Sequence, residues 1–309
     1  MELPDPASVV RIDGPWTHRD IAANACRFHV AEAGEGPLVV LVHGFPTFWW
    51  SWRHQLVSLA AAGYRAVAVD MRGYGGSDHT PHGYDPLTLA ADIAGLIRTL
   101  GEQNAIVVGN GWGGLVAWTA ASTYPDAVRA LVAVGMPHPV LLRNAFIGDP
   151  VQRRLGRYAV GFQRPFVPER QLTRDDAALV ERFLTAWSGP TWPDEEAARI
   201  YRAAMLIPST AHCSLEFHRW AIRSIPRRDG RRFQASVADP VAMPVLQIHG
   251  VDDGAVLLSS VDGSEAYAGA GYTRVDLEGV GHYPHEEDPA AFDGVLLPWL
   301  ATLPGLEAR

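Results

Sequence analysis

Gly109-Asn110-Gly111-Trp112-Gly113 is the stretch of this 309-residue chain whose residue types and spacing speak most directly of chemistry. The β-branched run Ile106-Val107-Val108 enters it, and Leu115-Val116-Ala117-Trp118-Thr119-Ala120-Ala121, made mostly of helix formers, leaves it. That order predicts strand, sharp turn, helix. A corner of the form G-x-Nuc-x-G lifts its middle residue above a sheet as a nucleophile, because the flanking glycines let the chain pass close to its neighbours. Here the middle residue is Gly111, which has no side chain to attack with.

Other chemistries are poorly served. The chain contains no lysine, which removes Schiff-base catalysis and a P-loop lysine. Cys26 and Cys213 are far apart and form neither a disulfide framework nor a metal cluster, so buried thiols are expected and no metal site is. The glycines from Gly109 to Gly114 are spaced unlike a dinucleotide fingerprint and lack its distant acid, and no cofactor is expected.

The elements that must position the corner alternate. Val9-Val10-Arg11-Ile12 and Cys26-Arg27-Phe28-His29-Val30-Ala31 look like two antiparallel strands, and Leu38-Val39-Val40-Leu41-Val42 like a strand covered on both faces. Helix is expected around 55–62, strand at 65–70, and helix over 87–100, where Leu89, Ile93, Leu96, Ile97 and Leu100 share one face. This pattern predicts an α/β fold with a mostly parallel sheet flanked by helices. After Ala130-Leu131-Val132-Ala133-Val134 the alternation stops. From there to about residue 239 the chain is Arg-rich and helical, with helices at 151–162, 175–187, 194–205 and 215–225 separated by Pro and Gly. Strands resume at 244–249 and 272–277, and a helix around 290–300 closes the chain.

With 48% hydrophobic residues, the chain can bury one large core plus an insertion. Met1-Glu2-Leu3-Pro4-Asp5-Pro6 has neither the basic nor the apolar region of an export signal, and no apolar run approaches a membrane span, which predicts a cytoplasmic protein without a membrane partner. A net charge of −8 and the lack of long basic runs argue against nucleic acid. A small molecule is the expected partner.

Five landmarks in order resemble the α/β-hydrolase fold, and within it the epoxide hydrolases and haloalkane dehalogenases. They are His43-Gly44-Phe45-Pro46 with Trp52-Arg53-His54-Gln55; Asp70-Met71-Arg72-Gly73-Tyr74-Gly75-Gly76-Ser77; the corner itself; His249-Gly250-Val251-Asp252-Asp253; and Gly279-Val280-Gly281-His282-Tyr283-Pro284-His285-Glu286-Glu287. The resemblance implies a core in two parts, 1–136 and 241–309, with a helical lid, 137–240, inserted between them. In that family an Asp at the corner attacks the epoxide carbon to form an ester, and a His-activated water hydrolyses it. Carried over residue by residue, His282 is the general base, on a glycine-bracketed loop that raises it above the other eleven histidines. Asp253 is the orienting acid, with Asp252 as the neighbour that can be meant instead. The backbone N–H groups of Phe45 and Trp112 hold the oxyanion. Tyr158, in Tyr158-Ala159-Val160-Gly161-Phe162-Gln163, is one ring-opening donor from the lid, although its ring can equally serve packing. His218 stands where the family usually has a second tyrosine, and an imidazole can also donate.

Gly111 stands where the resemblance puts the Asp nucleophile, and Asn110 where it often puts His. Three uses of such a site follow. It is an epoxide-hydrolase-type site for a small apolar molecule with covalent chemistry impaired; or His282 and Asp253 drive direct water attack or proton transfer, as a hydrolase or a lyase or cyclase; or the fold binds a small molecule without turnover. A purely structural protein with a relict site fits least. Trp49, Trp50, Trp112, Trp187, Trp192 and Phe162 are the candidate pocket aromatics, each of which packing alone also explains.

Overall fold

A computed structural model describes residues 3–304. Met1, Glu2 and 305–309, the outer ends of the two expected core segments, lie outside the described residues.

Eight strands form one sheet: β1 (Thr17–Ala23), β2 (Cys26–Ala33), β3 (Leu38–Val42), β4 (Arg65–Val69), β5 (Ala105–Asn110), β6 (Val128–Val134), β7 (Val245–Gly250) and β8 (Tyr272–Leu277). Their spatial order is β1-β2-β4-β3-β5-β6-β7-β8. The two pairings made by β2 are antiparallel and the rest are parallel. Every residue of β3, β5 and β7 is buried; β3 reads as an unbroken apolar run, while β5 and β7 also bury Asn110, Gln247 and His249.

Alternate residues of the central strands feed two cores. Val39, Leu41, Ile106, Val108, Leu246 and Ile248 face one side. There α1 (Arg53–Ala61) contributes Leu56 and Leu59. Val40, Val42, Val107 and Leu131 face the other, against α2 (Pro86–Thr99) and α3 (Trp112–Thr123). The side chain of Asp85 accepts from the Thr88 N–H and caps α2.

Between β6 and β7 the described residues form helices and no strand: α4 (Pro139–Gly148), α5 (Pro150–Leu155), α6 (Arg157–Gly161), α7 (Val167–Trp187), α8 (Glu195–Met205), α9 (Thr210–Arg223) and α10 (Arg228–Ser236). After β8 come α11 (Pro284–Glu287) and α12 (Pro289–Ala301), the latter adding Phe292, Leu296 and Leu300 to the first core. No described helix is long and apolar enough to cross a membrane.

Three expectations need correction. Val9-Val10-Arg11-Ile12 is not a strand: Ser8–Arg11 is a 3-10 turn that buries Val9, and the partner of β2 is β1. β1 is an edge strand with only Ile21 and Ala23 buried, so its sequence carries little hydrophobic alternation. The single helix expected at 151–162 is split at Gly156 into α5 and α6. The helix expected at 175–187 starts only after a kink, where Arg174 is extended and Asp175, Asp176 and Ala177 are left-handed, and an unexpected helical segment from Val167 precedes the kink.

Candidate active site

The corner after β5 has the expected shape. Gly111 lies between β5 and α3 at φ 52°, ψ −119°, a backbone region that L side chains enter only at a cost. Its N–H donates to the Val134 carbonyl at 3.0 Å, and its carbonyl accepts from the Leu115 N–H at 3.0 Å. Gly113 is required by proximity, since a Cβ there would stand 2.1 Å from the Val42 oxygen. A Cβ on Gly111 would instead stand 2.9 Å from His282 Nε2 and 3.8 Å from Gly44 Cα. The imidazole therefore overhangs the place where a nucleophile's side chain would begin, and the 43–46 segment borders it.

His282 follows β8 on its loop, and its Nδ1 is 2.7 Å from Asp253 Oδ2. Asp253 Oδ1 already accepts the N–H groups of Ala255 and Val256 at 2.7 and 2.8 Å. A carboxylate with this partnership keeps the imidazole proton on Nδ1 and leaves a lone pair on Nε2, directed at the corner. Of the two neighbouring acids, Asp253 reaches the ring, while Asp252 is exposed.

The imidazole is held from three directions. Its backbone N–H donates to the Trp187 carbonyl at 2.9 Å, and that carbonyl also accepts from Gly254, beside the acid, at 3.2 Å. Its own carbonyl accepts from Asn110 Nδ2 at 2.8 Å. Glu287 Oε2 accepts the N–H groups of Gly281 and Gly189 at 2.7 Å each, and Oε1 that of Tyr283 at 2.9 Å. Burial raises the pKa of the Glu287 carboxyl, and the three N–H groups act against that rise. The sequence reading missed Glu287 and saw Asn110 only as a non-nucleophile. Position next to Gly111, and on the short α11 facing back to the histidine loop, was the signal available.

Trp112 opens α3, where a first-turn N–H has no acceptor within its own helix. The Phe45 carbonyl accepts from the Tyr283 hydroxyl at 3.1 Å, which steadies the segment bearing the other expected oxyanion N–H. Tyr158 packs its ring at 5.2 to 5.4 Å from Trp187, Phe162 and Phe183. Burial raises the pKa of its hydroxyl, which stays protonated and able to donate.

His218 behaves differently from expectation. Trp112 Nε1 donates to His218 Nε2 at 3.0 Å, and His218 Nδ1 is 3.2 Å from the Ser214 carbonyl. An indole N–H only donates and a carbonyl only accepts, so Nε2 carries a lone pair and Nδ1 the proton. Burial lowers the imidazole pKa to about 4, which keeps it neutral. Both ring nitrogens are engaged, and His218 has no N–H left for a ligand oxygen in this arrangement. Among the candidate aromatics, Trp112, Trp187 and Phe162 gather here. Trp49 packs on Trp16, His18 and His29, Trp50 lies under the Arg53 guanidinium, and Trp192 packs on Tyr201 and Tyr283.

Comparison with known proteins gives a consistent neighbourhood. A family model described as alpha/beta hydrolase fold matches residues 37–289. A Bacillus subtilis protein described as an AB hydrolase superfamily protein is 32% identical, covering 91% of this chain and 96% of its own. Epoxide hydrolase A of Mycobacterium tuberculosis is 31% identical, over 96% of this chain and 100% of its own. The solved structure of an epoxide hydrolase from an endophytic Streptomyces superposes with a TM-score of 0.81 at 30% identity, covering 94% of this chain and 96% of the other.

Proposed function

The chain belongs to the α/β-hydrolase fold family, among its epoxide-hydrolase-like members, and on that premise we propose that its site is of the epoxide-opening type with the covalent route closed at Gly111. The observation that carries this is the placement of His282 Nε2, backed by Asp253, 2.9 Å from where a Cβ at position 111 would be. A base, its orienting acid and the strained corner are together, and only the attacking group is missing. A carboxylate at 111 would attack an epoxide carbon as the C–O bond breaks, and the leaving oxygen would take a proton from the Tyr158 hydroxyl. Water, losing its proton to Nε2, would then cleave the ester, with the Phe45 and Trp112 N–H groups on the oxyanion. Residues 137–240 act as the lid over a small apolar substrate, and no cofactor enters the chemistry.

The test is Gly111→Asp beside the parent chain on a panel of epoxides, with mass spectrometry for an ester on the protein. Restored opening with a trapped ester is expected. A variant that folds yet neither turns over nor traps any epoxide would overturn the proposal.

A second reading rests on the intact dyad. Nε2 keeps its lone pair towards the corner, so it can take a proton from water that attacks the substrate directly. Residual turnover by the parent chain that vanishes in His282→Ala, with no adduct at any time, is the expected sign. An ester found on the parent chain would exclude it.

A further inference from the structure

The Arg-rich character of the inserted helices has a local form that the epoxide-opening reading leaves unused. An open surface cleft of about 650 Å³ lies between α5, α6 and α7. Arg154, Arg157 and Arg182 line it, along with Tyr158, Phe183, Trp187 and Gly254. No carboxylate belongs to its lining, although the chain carries a net charge of −8. Some arginines elsewhere in the inserted helices are paired: Arg202 of α8 with Glu181 at 3.1 Å, and Arg219 of α9 with Glu169 at 2.8 Å and Glu216 at 2.9 Å. Among the described residues none of the ion pairs involves Arg154, Arg157 or Arg182, and all three are exposed.

The apolar part of the cleft is aromatic. Phe183 and Trp187 have ring centroids 4.9 Å apart, Tyr158 and Trp187 5.2 Å, and Trp187 stands 6.0 Å from the His282 ring. Gly254 follows the acid Asp253 directly. The cleft is thus lined by three exposed arginines and by an aromatic wall whose Trp187 ring neighbours that of His282. Arginines lining one cleft without acids of their own favour an anion, and a single guanidinium can hold a carboxylate in fork geometry.

We infer that the ligand of this site is an amphipathic acid, whose carboxylate is held by Arg154, Arg157 and Arg182 while its apolar body lies on Phe183, Tyr158 and Trp187 towards His282. This rests on the epoxide-opening reading only for the identity of the reacting end. Recognition of the acid end is independent of it.

The experiment is calorimetric titration of the parent chain with ω-phenylalkanoates, from phenylacetate to phenylhexanoate, beside the corresponding neutral amides. The acids are expected to bind roughly tenfold tighter than their amides or better, with the preference fading as salt is raised. The triple variant R154Q/R157Q/R182Q, changed only at exposed positions, should lose that preference while keeping the parent melting temperature. No binding by any acid, equal affinity of acids and amides, or a preference that survives the triple change would overturn the inference. The two proposals fail separately. If Gly111→Asp opens no epoxide while the acid preference holds, the catalytic reading falls and this one stands. If Gly111→Asp opens styrene oxide and its 4-carboxy analogue equally, and the amides bind as well as the acids, the reverse is true.

Discussion

A side chain at position 111 meets two costs that glycine avoids. The backbone there is at φ 52°, ψ −119°, and the new Cβ would sit 2.9 Å from an imidazole nitrogen. A residue held in such a region costs on the order of 1–3 kcal/mol, and the His282 ring or the chain beside it must also shift. Gly111→Asp is therefore expected to gain epoxide-opening activity while lowering the unfolding free energy, read from denaturant curves, by an amount in that range, and Gly111→Ala to show the loss of stability without the gain. Equal midpoints for all three proteins would show that the corner carries no strain. Asp253 controls the other half of the site. Asp253→Asn in the Gly111→Asp background presents an amide to Nδ1 and permits the wrong tautomer, so turnover should fall by roughly 10³–10⁴ with the fold intact, a size borrowed from the serine-protease triad. A loss under about tenfold would mean that the carboxylate does not set the tautomer. At this scale the sequence was informative where glycines mark the backbone, as at 111 between Gly109 and Gly113 and at 282 after Gly279 and Gly281. It was silent on His218, whose direction of hydrogen bonding is set by an indole 106 positions away.

The elements differ in how openly they announce themselves. β3, β5 and β7 are buried on both faces, so their composition is their signature, and the proposed acid and base hang on loops after β7 and β8. α10 buries only Gly230 and Phe233, so little apolar sequence marks it, and the chain breaks its helices at Gly156 and at 174–177, where Arg174 is extended and the next three residues are left-handed. Sequence spacing also hides contacts between elements, of which Glu287 is the clearest. Its carboxylate joins Gly189, at the end of the α7 region, to Gly281 and Tyr283 on either side of the proposed base. Glutamine has one acceptor oxygen and an NH₂ that would face backbone donors. Glu287→Gln in the Gly111→Asp background should lower kcat by up to about a hundredfold through misplacement of the imidazole, while affinity for unreacted ligand changes little. A parallel loss of both, tracking a fall in melting temperature, would assign Glu287 to general stability instead.

For the whole molecule, buried histidines set a dependence on acid that can be traced to one ring. His138 is fully buried, stacked on Tyr267 at 3.8 Å, and its pKa is lowered by burial to about 3. In the unfolded chain it titrates near 6.5. Between those values the unfolded state binds a proton that the folded state refuses, so stability falls as pH drops through that window. His218 and His54, both lowered to about 4 by burial, act in the same direction. Glu286, Glu287, Asp92 and Asp293 oppose them, because burial raises their folded pKa and they lose stability as pH rises. The parent's own pH profile therefore mixes two signs, and a difference between proteins isolates one. His138→Phe keeps a ring against Tyr267 and gives up the weak bond from the Val140 N–H, so it should be equal to or slightly less stable than the parent at pH 7.5. As pH falls from 6.5 towards 4, the variant should gain on the parent by roughly 1 kcal/mol per pH unit, read from denaturant midpoints. A difference that stays constant across that range would mean that His138 is protonated in the folded state or reaches water, against its burial between Trp118 and Tyr267.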